Sequence, residues 1–238
     1  MEKAYKLLAL QEGISNKKAK ELIDRGVVFV ARDRLKVARA ELPLNTKFRV
    51  ERPKDMEIIL EDSNLIAVNK PISIDSKEVE VALKSKNATL IHRLDRETSG
   101  VLLLAKSDEF KEKCIKEFKK QVVYKEYIAL VEGVIAEGFD IDKPIETTRG
   151  TKAISKISKN GREALTKVEP IELKDGKITK LKIIITTGAT HQIRVHLKSV
   201  GYPIIGDLKY GGKDSNRLYL HSKKIELLGY SISSEEDF

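Results

Sequence analysis

Cysteine is nearly missing from the 238-residue chain, and tryptophan is missing altogether. The single cysteine, Cys114, excludes an internal disulfide and leaves no thiolate cluster for zinc. Histidine is scarce too: His92, His191, His196 and His221 are the only four, and without a cysteine pair beside them no metal centre is expected. No apolar run approaches the roughly 20 residues that span a bilayer. The opening Met1-Glu2-Lys3-Ala4-Tyr5-Lys6-Leu7-Leu8-Ala9-Leu10 lacks the apolar core and cleavage site of a secretory signal. Internal repeats and low-complexity tracts are absent as well. These absences point to a cytoplasmic protein with no membrane association, and the balance of 41% hydrophobic and 34% charged residues is that of an ordinary folded chain.

The charge that is present is unevenly placed. The formal net charge is +9. Residues 1–54 hold 14 Lys or Arg against 7 Asp or Glu, whereas the remainder holds 31 against 29. An excess confined to one segment favours a polyanion-binding appendage over a uniformly basic surface. The chain therefore divides into a small basic module, 1–54, and a larger domain, 55–238, with Arg52-Pro53-Lys54 as the linker.

Local patterning fills in the elements. Residues 3–11 read as a short helix. Ser15 is a suitable N-cap for a second, with Ala19, Leu22 and Ile23 on one face and Gly26 past its end. Lys17, Lys18, Lys20 and Arg25 decorate that helix. Val27–Val30 reads as a strand, Arg32-Asp33-Arg34 as a turn and residues 47–50 as an alternating strand. This stretch resembles the S-four-like RNA-binding module over roughly the first 50 residues, from Ser15-Asn16-Lys17-Lys18-Ala19-Lys20 through Val27-Val28-Phe29-Val30, departing at Arg32-Asp33, where the family often has an Asn-Gly turn. The resemblance implies that the four cations meet an RNA backbone.

Further along, residues 58–68 suggest two strands around a polar turn, and Val101-Leu102-Leu103-Leu104-Ala105 a strand buried on both faces. Phe110, Cys114, Ile115 and Phe118 recur at helical spacing. Residues 127–131 and 181–185 read as strands. Residues 190–200 read as a helix capped by Thr190 and stopped by Gly201. Strands outnumber helices without the regular alternation of a parallel doubly wound sheet.

The segment richest in chemistry is His92-Arg93-Leu94-Asp95-Arg96-Glu97-Thr98-Ser99-Gly100, a polar loop entering a buried strand. It resembles the signature of RluA-type pseudouridine synthases, whose aspartate is the essential residue, and the resemblance continues through Leu103-Leu104-Ala105-Lys106. Asn69-Lys70-Pro71, Val123-Tyr124-Lys125-Glu126-Tyr127, Thr187-Gly188-Ala189-Thr190-His191-Gln192-Ile193-Arg194 and Gly206-Asp207-Leu208-Lys209-Tyr210-Gly211 match further family segments, together covering most of 58–225. Departures are Ala189, usually arginine, Ser73, usually glycine, and a short stretch between Pro71 and His92.

The resemblance implies an α+β protein whose catalytic domain is built on a largely antiparallel mixed β-sheet with flanking helices and a central cleft. It implies an isomerase of uridines in structured RNA, with Asp95 catalytic, Arg194 as its ion-pair partner and Tyr127 stacking on the base. His92, Arg93, Thr98, Lys70, Lys125, His191 and Gln192 are the implied substrate contacts. The RNA expected is large-subunit ribosomal, with transfer RNA the alternative; no protein partner is evident and a monomer is expected. Converting uridine to pseudouridine is neither redox chemistry nor net hydrolysis, so no cofactor is expected. Two other classes fit parts of the pattern. An RNA-binding protein that had lost the reaction would not need Asp95, Tyr127 and Arg194 together. A glycosidase would need a second carboxylate, for which Glu97 is the nearest candidate.

Overall fold

Val101–Ala105 has no polar face to turn toward water, and the fold buries every residue of it. The computed structural model describes residues 1–31, 33–50, 56–148 and 153–238, which fall into two compact units, Met1–Lys54 and Asp55–Phe238. Arg52-Pro53-Lys54, read as the linker, lies outside the described residues, as does Arg32 of the expected turn.

In the first unit β1 (Glu2–Lys3) precedes α1 (Ala4–Glu12) and α2 (Asn16–Asp24). Ser15 caps α2 by accepting the Lys18 backbone N–H at 3.2 Å. β2 (Val28–Val30) lies between β3 (Asp33–Arg34) and β5 (Phe48–Val50), and β4 (Glu41–Leu42) pairs with β1. Asp33 and Arg34, expected in a turn, are strand residues instead, because Val30 pairs directly with Asp33 and the reversal begins at Ala31, with φ 55°. Leu8, Ala19, Ile23, Val28 and Phe48 form the core that joins the helices to this sheet.

In the second unit β6 (Glu57–Glu61) and β7 (Leu65–Lys70) make a hairpin. Asp62 Oδ1 closes it by accepting the N–H groups of Asn64 and Leu65 at 2.7 and 2.8 Å. α3 (Ser76–Ala82) and β8 (Thr89–Leu90) lead to β9 (Ser99–Ala105), and α4 (Asp108–Lys119) leads to β10 (Tyr124–Glu132). β11 (Phe139–Asp142), the hairpin of β12 (Ile145–Thr148) and β13 (Ile154–Ile157), β14 (Leu165–Lys174) and β15 (Ile178–Ile185) follow. α5 (Gln192–Ser199), β16 (Leu220–Leu227) and β17 (Tyr230–Ser233) come last.

Among the described residues the main sheet runs β11-β14-β15-β10-β16-β9-β7-β6, with β8 beside β9 and β17 beside β16. Every pair is antiparallel except β9 with β16. The sheet is thus mixed and largely antiparallel. Period-two alternation sends Leu102 and Leu104 into one core with Val79, Ile193 and Leu197, while Val101, Leu103 and Ala105 join Cys114 and Ile225 in the other. α3 and α5 cover the first face, and α4 covers the second. Cys114 is a packing residue.

α5 starts after His191, not at Thr190. His191 takes the N-cap position in the left-handed region, φ 54°, so Thr190 does not cap. Gln192 closes the turn instead, its Oε1 accepting the Ala189 N–H at 3.1 Å. No helix among the described residues is long and apolar enough to cross a membrane.

The parallel contact of β9 with β16 depends on Gly100. Its φ is 106°, and a β-carbon there would lie 2.3 Å from the Ser222 carbonyl oxygen. Gly100→Ala is expected to lower unfolding stability by at least about 2 kcal/mol, measured by urea denaturation; an unchanged midpoint would contradict this close approach.

Candidate active site

The loop before β9 is fixed by its neighbours on both sides of Asp95. Leu94 is clamped by Ser76 at the start of α3: the Leu94 N–H donates to Ser76 Oγ at 2.9 Å, and that hydroxyl donates back to the Leu94 carbonyl at 3.0 Å. On the other side, the Arg96 carbonyl accepts from the Ser73 N–H at 2.9 Å and from Lys70 Nζ at 3.3 Å. The Thr98 N–H donates to the Asp95 carbonyl at 3.1 Å, closing the turn. Ser73 has φ 68°, which is why glycine suits this position and serine is strained in it.

Asp95 itself keeps 26% of its side chain exposed, and two cationic or protonatable groups face it. Arg194 Nη1 donates to Asp95 Oδ2 at 3.0 Å, and His191 Nε2 lies 3.8 Å from the same oxygen. Arg194 is 4% exposed, a depth at which a lone guanidinium is costly. Two further donors go to Asp207: Nε to Oδ2 at 2.7 Å and Nη2 to Oδ1 at 2.8 Å. Asp207 is itself buried and also accepts the Tyr210 N–H at 3.3 Å. Burial alone would weaken the protonated form of Arg194, but the Asp207 hydrogen bonds and charge, with Asp95 and Glu97 behind them, hold its pKa above the usual arginine value. The arrangement is one fork between two carboxylates, one reachable and one sealed.

Several residues read as substrate contacts are instead committed inside the fold. Lys70 is fully buried, and its three protons meet the carbonyls of Pro71, Ile74 and Arg96, leaving none for a ligand. Lys125 is buried and donates to the Thr186 and Thr187 carbonyls at 3.1 and 2.7 Å. Burial lowers both ammonium pKa values to about 8. Gln192 is satisfied at both ends, its amide donating to the Leu165 carbonyl and Thr166 hydroxyl while its oxygen accepts from Thr187 and Ala189. His92 Nε2 accepts the Leu103 N–H at 3.1 Å. Burial, then the Lys125 charge, pushes its pKa down to about 3, so the ring stays neutral. Lys70 and Gln192 thus have every side-chain donor committed inside the fold, while Lys125 and His92 have part of theirs engaged there. Thr98 is buried as well, whereas Arg93 is exposed.

Tyr127 is 8% exposed and sits at an irregularity in the β10–β16 register, opposite Ser222. Bulges of this kind re-aim side chains beside active sites. Burial chiefly, and the Asp95 charge after it, raise its phenol pKa to about 12. In the first unit Lys17 is exposed, Lys18 and Arg25 pair with Glu21, and Lys20 lies 4.2 Å from the centroid of the Tyr5 ring.

The family model for RNA pseudouridylate synthases matches residues 50–199. The chain belongs to this family. An uncharacterized RNA pseudouridine synthase of Helicobacter pylori strain J99 is 51% identical over 98% of this chain and 97% of its own length. A ribosomal large subunit pseudouridine synthase C of Rickettsia felis is 36% identical over 75% of this chain and 66% of its own. Among solved structures, human RNA pseudouridylate synthase domain containing 1 superposes with a TM-score of 0.68 at 26% identity, covering 77% of this chain and 84% of that one. The family model begins at residue 50, so residues 1–49 of the S-four-like reading stand outside it.

Two members of the synthase's network escaped sequence reading as functional groups, Asp207 and Tyr210. Both lie in the quoted Gly206–Gly211 stretch, and the signal available was a carboxylate within reach of a buried arginine's helix. Among the described residues no three His, Cys, Asp or Glu side chains group to hold a metal ion. Asp207→Ala leaves Arg194 buried with two of its three hydrogen bonds gone and is expected to cost about 3–5 kcal/mol, read from urea unfolding. A loss below about 1 kcal/mol, no more than a surface pair contributes, would show that Arg194 does not depend on it.

Proposed function

We propose that this synthase isomerises uridines of large-subunit ribosomal RNA, with Asp95 as the carboxylate that reacts at the nucleoside and with no metal or cofactor. The observation that carries the reading is the 3.0 Å pair of Asp95 with Arg194 at the mouth of a loop pinned on both sides. Breaking the glycosidic bond, turning the ring and joining its carbon 5 to the sugar requires an ionised carboxylate, whether it acts on the sugar or on the ring. A carboxylate beside a bound nucleobase loses water, which favours its inert neutral form. A guanidinium that stays protonated opposes that loss.

The uridine has to leave its stack, at a cost of a few kcal/mol. Tyr127 would offset part of this by stacking, a contact that contributes about 1–3 kcal/mol in single-stranded recognition. Arg93, exposed two residues before Asp95, would meet the RNA. Residues 1–54 would act as an S-four-like module, with Lys17 and Lys18 outermost. The choice of large-subunit ribosomal RNA over transfer RNA is supported by the Rickettsia relative.

Asp95→Asn is expected to lower turnover on ribosomal RNA transcripts by at least about a thousandfold, some 4 kcal/mol of barrier, with RNA affinity little changed. Near-normal turnover would remove Asp95 from the chemistry, and conversion of transfer RNA alone would overturn the substrate. Replacing Lys17, Lys18 and Lys20 by alanine should weaken RNA binding and reduce the slope of log affinity against log salt by about 0.9 for each lost phosphate contact; an unaltered slope would make the module a bystander.

A further inference from the structure

Tyr210 stands at the centre of the ion chain without being an ion. Its ring centroid lies 5.2 Å from the Arg194 guanidinium carbon, and its N–H donates to Asp207. Its hydroxyl accepts the Ser155 N–H at 3.0 Å and lies 2.7 Å from His191 Nδ1. A backbone amide only donates, so that bond occupies a lone pair of the phenol oxygen. The phenol proton is assigned to His191 Nδ1, 2.7 Å away, with the second lone pair facing Ser155. A neutral imidazole that accepts at Nδ1 carries its proton on Nε2. Nε2 is the atom 3.8 Å from Asp95 Oδ2: too far for a hydrogen bond between them, and close enough to touch whatever Asp95 holds.

We propose that Tyr210 is a positioning residue that locks His191 in the Nε2–H form, and that His191 presents this donor, uncharged, to a carbonyl oxygen of the bound pyrimidine. The inference rests on Asp95 being the reacting carboxylate. When the glycosidic bond breaks, its electron pair stays with the departing ring and negative charge falls on the ring carbonyl oxygens. A preset N–H stabilises that charge, and its proton remains on His191 throughout.

A neutral donor suits the site better than an imidazolium, which would pair with Asp95 and hold it. The surroundings keep the ring neutral. Burial, with the Arg194 and Lys209 charges, lowers the His191 pKa, and only Asp95 and Glu97 act the other way. The residue also sits at the N-cap of α5, where the helix end disfavours added positive charge. Protonating Nδ1 would in addition break the bond from Tyr210.

The tautomer is directly readable. Long-range 1H–15N spectra of the labelled, substrate-free synthase should show His191 Nε2 protonated and Nδ1 bare from about pH 6 to about pH 8. In Tyr210→Phe the two tautomers should mix, the His191 pKa should rise, and the acid limb of the kcat profile should move to higher pH. Glutamine places an amide N–H near the Nε2 position and asparagine does not. His191→Asn should therefore lower kcat about a hundredfold with KM little changed, and His191→Gln should recover about tenfold of that loss. A proton on Nδ1 in the wild-type spectrum, an unchanged His191 spectrum in Tyr210→Phe, or equal turnover of the two His191 variants would each overturn the proposal. An active Asp95→Asn enzyme with the spectrum as expected would instead sink the reading of Asp95 and leave the lock standing.

Discussion

A buried guanidinium that cannot be left alone organises this site. Arg194 lies where removing one partner of an ion pair exposes the full desolvation cost of the other. With Asp95 as its only partner, that cost would appear whenever Asp95 was engaged by substrate or neutralised. Asp207 prevents this: it takes two of the three donated bonds and is sealed from solvent. Arg194 therefore stays compensated through every state of Asp95. Arginine is required here because its flat fork serves two carboxylates from different edges, which an ammonium on a flexible stem does not.

The same logic explains how Asp95 is aimed. Little of its position comes from bonds to its own carboxylate. It comes from Leu94 clamped by Ser76, from Arg96 held by Lys70 and Ser73, and from Gly100 letting β9 lie against β16. Each of these is a backbone contact, so the loop is rigid while the side chain at its tip stays reachable. Lys70 is matched to this work. An ammonium carries three donors, and three carbonyls converge on it.

Features that depend on adjacent residues were legible in the sequence. The apolar run of β9, the Ser15 cap and the amphipathic α4 are set by neighbours one to four positions apart. The pairing of Asp95 with Arg194 came from family resemblance, since nothing in periodicity brings residues 99 positions apart together. The burial of Lys70 and Lys125 was not legible, because a lysine reads as a surface cation until carbonyls are seen to converge on it. Thr190 does not cap because the left-handed turn at His191 puts His191 at the N-cap position, with no side chain capping the helix. Tyr210 was invisible as an organiser, since its partner Ser155 is 55 residues away on the β12–β13 hairpin.

Charge is divided by depth, and this bears on how binding and chemistry respond to solution conditions. From residue 55 onward cations barely outnumber acids, 31 to 29. Of those cations Lys70, Lys125 and Arg194 are turned inward, as is the acid Asp207, so the second unit has no surplus of outward cations with which to attract a polyanion. Exposed cations such as Arg93, Lys17 and Lys18 stand in water, where physiological salt screens charges beyond about 8 Å. The Arg194–Asp207 pair stands out of water, where screening is weak. Added salt should then act on how tightly RNA is held, and hardly at all on the buried Arg194–Asp207 pair. Exposed cations and the buried Arg194–Asp207 pair therefore answer differently to salt, because they stand at different depths.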